Sequence, residues 1–287
     1  MASMRDIKRR RSSIQGTQQI TKAMKLVSTV KLQRARASAE RSKDYFTCMY
    51  DTVNSILKRV GNVEHKYLTA GASRKKAVIV ITSNRGLAGG YNSNVTKLVT
   101  RHPQWKKEDV EVYCLGNKGR EALARYGYKI VECNSEAVES PVYKDAAALS
   151  EKLLASFAAG EIGEIYLAYT RFKNTVSHIP TLLKLLPVEV SGEDAVSEKE
   201  AAAIMNFEPE DTEALDMLIP KYVTSLIYGA LRESVASENG ARMQAMDNAT
   251  SNAEEMISDL TLKYNRARQG SITQELTEII AGAEALG

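Results

Sequence analysis

Any chemistry in this chain is best sought at Ser83-Asn84-Arg85-Gly86-Leu87-Ala88-Gly89-Gly90-Tyr91-Asn92, a glycine-rich polar stretch that follows a short apolar run. Loops of this kind, leaving a strand and opening a helix, are where α/β proteins hold phosphate. The spacing does not fit that use. No G-x-x-x-x-G-K-[ST] is present, no glycine is followed by lysine, and Gly86, Gly89 and Gly90 miss the interval that brings backbone against a pyrophosphate. A tight strand-to-helix turn accounts for them. His65, His102 and His178 are far apart, with no H-E-x-x-H and no adjacent cysteine, so a metal centre has no local basis. No serine sits in a G-x-S-x-G elbow, and most carboxylates follow the spacing of a solvated helix face. We read no catalytic residue, no cofactor site and no metal ligand in the sequence.

The run Lys8-Arg9-Arg10-Arg11 could meet nucleic acid, anionic lipid or solvent. No aromatic residue precedes Tyr45, so base stacking lacks support, and an acidic protein surface or the chain's own acidic end is the favoured contact. Charge is polarised along the chain. Residues 1–60 hold 14 Lys and Arg against 4 Asp and Glu, whereas residues 208–287 hold 6 against 14. Opposite ends of opposite charge suggest either antiparallel association within the chain or separate acidic and basic partners.

The elements that position these residues fall into three segments. Met4 to about Val60 has no proline and one interior glycine, Gly16, which predicts a single long helix of about 80 Å. Its seam is read as Ile20, Met24 and Val27, then Phe46, Met49, Val53, Ile56 and Val60. From Thr212 a second long helix is expected, with Leu215, Ile219, Tyr222, Leu226 and Ala230, then Met246, Ala249, Ala253, Met256, Leu260, Tyr264 and Ala267. Pro220, Gly229 and Gly240 are the places where it could break. Between the helices the period changes. Ala77–Thr82, Val110–Leu115, Lys129–Glu132 and Glu164–Thr170 read as strands, separated by helices at Asn94–His102, Lys118–Tyr126 and Asp145–Ala158. That alternation predicts a small, mostly parallel α/β sheet, with Ser177–Val190 as an added edge strand.

The division is therefore a long helix over 1–60, an α/β domain over 74–190, a connecting segment over 191–211 and a second long helix over 212–287. No apolar run approaches the roughly 20 residues of a membrane-spanning helix, and the first dozen residues lack a signal-peptide core, so the chain is expected to be soluble. Cys48, Cys114 and Cys133 are odd in number and widely spaced, which excludes a disulfide framework and favours a reducing compartment.

Four stretches carry a resemblance to a known family. Ile14-Gln15-Gly16-Thr17-Gln18-Gln19-Ile20-Thr21-Lys22-Ala23-Met24-Lys25-Leu26-Val27-Ser28 and Tyr264-Asn265-Arg266-Ala267-Arg268-Gln269-Gly270-Ser271-Ile272-Thr273-Gln274-Glu275-Leu276-Thr277-Glu278-Ile279 resemble the two ends of the gamma subunit of the F-type ATP synthase. Thr82–Asn92 is similar to that family's first strand-turn-helix, and Ala236–Met246 to its mid-helix signature.

The resemblance implies a Rossmann-like α/β domain beside an antiparallel coiled coil of the two long helices. The coil stands inside a ring of alternating alpha and beta subunits as the rotor of the central stalk. Proton flow would turn a membrane ring of c subunits and this chain with it, driving the catalytic beta subunits through their states; this chain itself would not be an enzyme. A single copy per complex, contact with the epsilon subunit and a place on the cytoplasmic face of the bacterial membrane are implied as well, the missing transit peptide favouring a bacterial source. Position by position, Lys22, Met24 and Lys25 match contacts with the beta lever loop. Arg268, Gln269, Thr273 and Glu275 match the catch contacts with beta, supported by Arg242 and Gln244. Residues Ile272 to Ala285 would turn in an apolar sleeve. Met205, Phe207 and Glu208, with Asn206 and Pro209, match the foot that meets the c ring and epsilon, although the family often has tyrosine where Met205 and Phe207 stand. The chloroplast members' cysteine switch has no counterpart insertion here. The alternatives are a free coiled-coil scaffold or nucleic-acid-binding protein using the basic first helix, and a nucleotide-binding α/β enzyme.

Overall fold

A computed structural model describes residues 4–60, 65–71, 73–188 and 211–284. Helix α1 spans Met4–Val60 and helix α5 spans Asp211–Glu284. Between them lie β1 (Lys76–Ile81), α2 (Tyr91–Thr100), β2 (Val110–Leu115), α3 (Asn117–Arg125), β3 (Lys129–Asn134), α4 (Tyr143–Ala158), β4 (Glu164–Phe172) and β5 (His178–Leu186). The chain divides into two compact units, Met1–Thr29 with Arg242–Gly287, and Val30–Ala241.

The larger unit is built on one sheet of order β3-β2-β1-β4-β5. Its first four strands are parallel and β5 is antiparallel to β4, so the C-terminal addition expected at Ser177–Val190 is an edge strand. Both faces are buried, as a sheet with helices on each side requires, and β1 shows why its sequence is an unbroken apolar run. Val78 and Val80 pack under Val95, Val99 and Leu123 of α2 and α3. Ala77, Ile79 and Ile81 face the other way, onto Leu153 and Phe157 of α4, Val53 and Ile56 of α1, and Leu215, Ile219 and Val223 of α5. Helix α5 continues through Pro220, Gly229 and Gly240, where the sequence allowed a break. An interior proline costs about 3 kcal/mol. Ile219, Val223 and Ile227 beside it are each fully buried, and at about 1.5–3 kcal/mol apiece they outweigh that cost.

The smaller unit is an antiparallel helix pair. Arg11 lies over the Tyr264 ring, Gln18 donates to Glu254 at 3.0 Å, Thr21 meets Thr250 at 2.8 Å and Lys25 meets Asp247 at 2.6 Å, so numbers fall on one helix as they rise on the other. The buried and half-buried positions step by three and four: Ile7, Arg11, Ile14, Gln18, Thr21, Lys25 and Ser28 on α1, against Met246, Thr250, Ala253, Ile257, Leu260, Tyr264, Ala267 and Ser271 on α5. That is the seven-residue repeat of a coiled coil.

Two sequence expectations are corrected here. On α1 the seam runs through Thr21 and Ser28, while Ile20 and Val27 are 63% and 57% exposed. On α5, Thr250 and Ile257 take the places expected for Ala249 and Met256, and Met256 faces out. The physical reason is size and hydrogen bonding. Small hydroxyl residues let the two backbones approach and satisfy one another across the seam, which an apolarity count does not register. In the larger unit Leu215, Ile219, Tyr222, Ala230, Val53 and Ile56 are buried as expected. The side chains of Phe46 and Val60 lie outside the described residues.

Candidate functional site

The loop after β1 is closed on itself and on its neighbours. Asn92 accepts from the Ser83 amide at 2.9 Å and exchanges hydrogen bonds with the Ser83 hydroxyl, while Asn84 donates to the Ser135 carbonyl at 2.7 Å. The Asn84 side-chain oxygen accepts from the first amide of α3, that of Asn117, at 3.1 Å. The next two amides are also held: Lys118 donates to the Ser83 carbonyl at 3.0 Å and Gly119 to the Thr82 hydroxyl at 2.8 Å. These are the orphan donors at a helix start that would otherwise receive an anion. Gly116, at φ +108°, is the residue that permits it, since a Cβ there would stand 2.1 Å from the Thr82 carbonyl oxygen. The end of β1 thus fills the place of a phosphate at α3.

Each histidine has a structural occupation. His65 is buried and reaches Asp216 at 3.2 Å, where Lys66 also binds at 2.8 Å; these partners hold the Asp216 carboxyl below its ordinary range. His102 stacks on Trp105 with ring centres 4.1 Å apart, and His178 lies against Gly240. Among the described residues no cluster of three or more His, Cys, Asp or Glu could hold a metal ion. Cys114 and Cys133, distant in sequence, are direct partners in the β2–β3 register. Both are free thiols, and burial pushes Cys114 up to about 12, away from the reactive thiolate.

The expected partner-contact residues that fall within the described chain all lie on the coiled coil, in two groups. Lys22 and Gln244 are exposed, Met24 and Lys25 are half-exposed, and Arg242 is half-buried. Lys25 is not a free cation: its Nζ donates to Asp247 Oδ1. Arg268 and Gln269 are exposed between the seam positions Ala267 and Ser271. Thr273 and Glu275 are exposed one turn further on, and Glu275 accepts from Ser271 at 3.5 Å. Twenty-four residues separate Gln244 from Arg268, about 36 Å of helix, so the structure does not bring the two groups together. The foot residues Met205, Phe207 and Glu208 lie outside the described residues.

Two features escaped the sequence reading. Asp247 was passed over as one more solvated carboxylate, and only the antiparallel register identifies it as the partner of Lys25. The outward apolar residues of α1, Ile20, Leu26 and Val27, were assigned inward or not at all. Beyond Ser271, every residue from Ile272 to Ala283 is exposed, and Ile272, Leu276, Ile279 and Ile280 form an uncovered apolar stripe. Such a stripe at helical spacing is a surface for another molecule.

A family model described as ATP synthase matches residues 3–286. The ATP synthase gamma chain of Lachnoclostridium phytofermentans is 64% identical over 291 residues, covering 100% of both chains. That of Alkaliphilus metalliredigens is 45% identical, covering 99% of this chain and 98% of the relative. A relative from Acetobacterium woodii named ATP synthase gamma chain, sodium ion specific, is 41% identical, covering 99% of both. Among solved structures, a chain of the Euglena gracilis mitochondrial ATP synthase shares the fold with TM-score 0.71 at 18% identity, covering 99% of this chain and 94% of that one. With the filled phosphate cradle, the heptad seam and likeness over its whole length, this chain belongs to the ATP synthase gamma-chain family.

Proposed function

We infer that the chain is the central-stalk rotor subunit of a membrane-associated F-type ATP synthase. Proton flow through a c ring turns it, and its turning coiled coil drives the catalytic beta subunits; this chain is itself non-catalytic. Likeness along the entire length to relatives named ATP synthase gamma chain is the observation that carries the reading. The coil suits the task because its sides differ. Ile20, Leu26 and Val27 project on one helix, whereas Asp247, Glu254 and Glu255 stand on the other. A partner touching one side has a different interaction energy from a partner touching the next, and differential contact is what allows rotation to select conformations.

In this reading Lys22, Met24 and Lys25 meet the beta lever loop and Arg268, Gln269, Thr273 and Glu275 meet the catch loops; Arg242 and Gln244, expected to support the catch contacts, stand about 36 Å of helix from Arg268 and nearer the lever group. The apolar stripe Ile272 to Ile280 turns in a sleeve formed by the ring, where van der Waals contact offers little angular resistance. Met205, Phe207 and Glu208 are assigned to the c ring and to epsilon. One copy per complex, on the cytoplasmic face of the membrane, completes the assignment.

A bead fixed near residue 205 of this chain, in an immobilised alpha/beta ring, should rotate on addition of ATP. Hydrolysis with the bead stationary and the chain intact refutes the rotor role. Replacing Arg268 and Gln269 together with alanine should lower turnover or coupling while the chain's melting temperature is unchanged. Unaltered synthesis and hydrolysis remove the catch assignment.

A further inference from the structure

The parallel topology collects basic residues at one edge of the sheet. A strand–helix–strand crossover returns the chain to the end where it began, so the N-terminal ends of β1, β2, β3 and β4 share an edge with the C-terminal ends of α2, α3 and α4, and antiparallel β5 finishes there. Residues 73–76, 101–111, 125–129, 159–164 and 184–188 lie at this edge and hold nine Lys and Arg against five Asp and Glu. Two of the acids are outnumbered in their own contacts. Glu111 of β2 is shared by Lys75 at 3.8 Å and Lys129 at 2.7 Å, and Glu164 of β4 by Lys76 and by Lys184 at 3.4 Å, so each carboxylate leaves one positive charge uncancelled. Arg74, Arg101 and Lys106 are exposed and enter no ion pair among the described residues. Arg101 follows α2, where a cation complements the helix dipole, but Arg74 and Lys106 have no such work.

Aromatic side chains stand among these cations. Trp105 is half-buried, stacked on His102 and edge-on to Tyr166 with ring centres 4.8 Å apart, while Lys107 lies over the Tyr128 ring and Tyr126 is 56% exposed. Neighbouring strands are about 4.8 Å apart, so five of them spread the charges along roughly 20 Å. The edge also carries the chain ends that flank residues 189–210. Val188 donates to the Tyr67 carbonyl at 3.1 Å, Tyr67 packs against Phe157 in the last turn of α4, and Lys66 binds Asp216 in the second turn of α5 at 2.8 Å. Met205, Phe207 and Glu208, within that segment, are the residues assigned above to the c ring, which directs this edge toward the membrane.

We propose that this basic, aromatic edge of the α/β domain is an interaction surface for anionic lipid, drawn toward the headgroups while the chain turns. Lysine and arginine near such a surface are attracted by its negative potential, and tryptophan and tyrosine favour the boundary between headgroups and water. Fluid lipid presents the same charge at every angle, so attraction along the membrane normal adds no barrier to rotation. The orientation of the edge rests on the rotor reading. The bead experiment above uses an immobilised ring without lipid, so failure of the lipid contact and failure of the rotor role are told apart.

Trp105 is the single tryptophan and stands on this edge, so its fluorescence reports this face and no other. The full chain is mixed with vesicles of phosphatidylglycerol and phosphatidylcholine that carry a headgroup spin label, a quencher of indole at short range. Trp105 emission should fall, and should recover at about 1 M salt, where the screening length is about 3 Å. The triple variant Arg74→Gln, Arg101→Gln, Lys106→Gln should bind about 100-fold more weakly, at about fivefold for each cation. Replacing Lys8, Arg9 and Arg10 of the basic N-terminal run with glutamine should leave the quenching in place. Vesicles that sediment the chain with Trp105 unquenched, equal quenching on spin-labelled phosphatidylcholine alone, or a triple variant that binds as the wild type does overturns the proposal. So does a single-stranded oligonucleotide that binds more tightly than the vesicles at equal phosphate, which makes the edge a nucleic-acid surface. Dependence of wild-type quenching on phosphatidylglycerol and salt decides the matter even where the triple variant fails to fold.

Discussion

Lys25 is assigned to a partner yet is bound to Asp247, and exchanging the two charges separates these roles. The intrachain pair is 2.6 Å long but its side chains are 38% and 53% exposed. An ion pair so placed is worth about 0–1 kcal/mol. Lys25→Ala should therefore lower the melting temperature by no more than about 2–4 °C. A lysine paired with an acidic loop in a partner's interface carries about 2–5 kcal/mol when truncated, a factor of about 30 or more. The double variant Lys25→Asp with Asp247→Lys rebuilds the intrachain pair and moves the positive charge across the seam by about one helix spacing, 8–10 Å. Thermal unfolding of the isolated chain should then return to the wild-type value. ATP-driven turnover and coupling in the assembled complex should fall at least as far as in Lys25→Ala, since the partner now meets a carboxylate. Should the exchange restore turnover along with stability, Lys25 acts through Asp247 alone and the contact assigned to it is wrong.

The Thr21–Thr250 contact offers two protons for three hydrogen bonds, because each hydroxyl also lies within reach of a carbonyl of its own helix, Gln18 at 3.0 Å and Met246 at 2.8 Å. Replacing either threonine with valine leaves the survivor its own carbonyl, so each should cost about 0.5–1.5 kcal/mol, and the double replacement should be neutral or stabilising; calorimetry giving a larger loss for the double than for either single would contradict this. Gly116→Ala should cost at least about 2–3 kcal/mol from strain and overlap with Thr82, whereas Gly16→Ala, with nothing within 4 Å, should stabilise by about 0.5–1 kcal/mol. Equal melting temperatures for the two would remove the account of the filled cradle. Trp105, the single tryptophan, should report on His102: burial, reinforced by Lys76, lowers the histidine's proton affinity, so acid quenching of indole fluorescence should have a midpoint below 6.5 and vanish in His102→Phe. The associated stability is present above 6.5 and lost as pH falls through the folded value.

What was legible in the sequence follows the strength of its periodic signals. The run Ala77–Ile81 is apolar on both faces because both faces are covered, and its strand, its neighbours and the intervening helices are found where the change of period puts them. The coil is a harder case. A seam one residue out of register moves by about 100° around the helix, enough to exchange inward and outward residues. Ile20 and Val27 mark an apolar line that looks like a core, while Thr21 and Ser28 mark the line that is buried, and both lines have the same period. The choice is settled by Thr250, Ala253 and Asp247, more than 220 positions away, which accept a close, partly polar neighbour. The same reasoning explains why the partner contacts were legible only through family resemblance. Arg268 and Gln269 make no contact that fixes them within the described chain's seam, so nothing in their spacing distinguishes an interface from a solvated surface.

That ambiguity has a physical source in the working surface of a shaft. A coiled coil optimised for its own stability would bury Ile20, Leu26 and Val27 and expose its threonines and serines. This one does the reverse, placing about 60% of each of those three apolar side chains in the open and closing its seam with Thr21, Ser28 and Thr250. Full burial of such side chains is worth about 1.5–3 kcal/mol each, so the stabilisation withheld from the isolated chain remains to be gained against a surrounding protein. Because the exposed apolar side chains are spread unevenly around the coil, with Ile20 and Val27 on one line of α1, Leu26 about 100° from Val27, and Met256 and Leu262 on α5, the area is gained differently at each rotor angle. The unequal distribution of exposed apolar surface, more than any single charged contact, supplies the angle-dependent energy that a turning shaft must deliver.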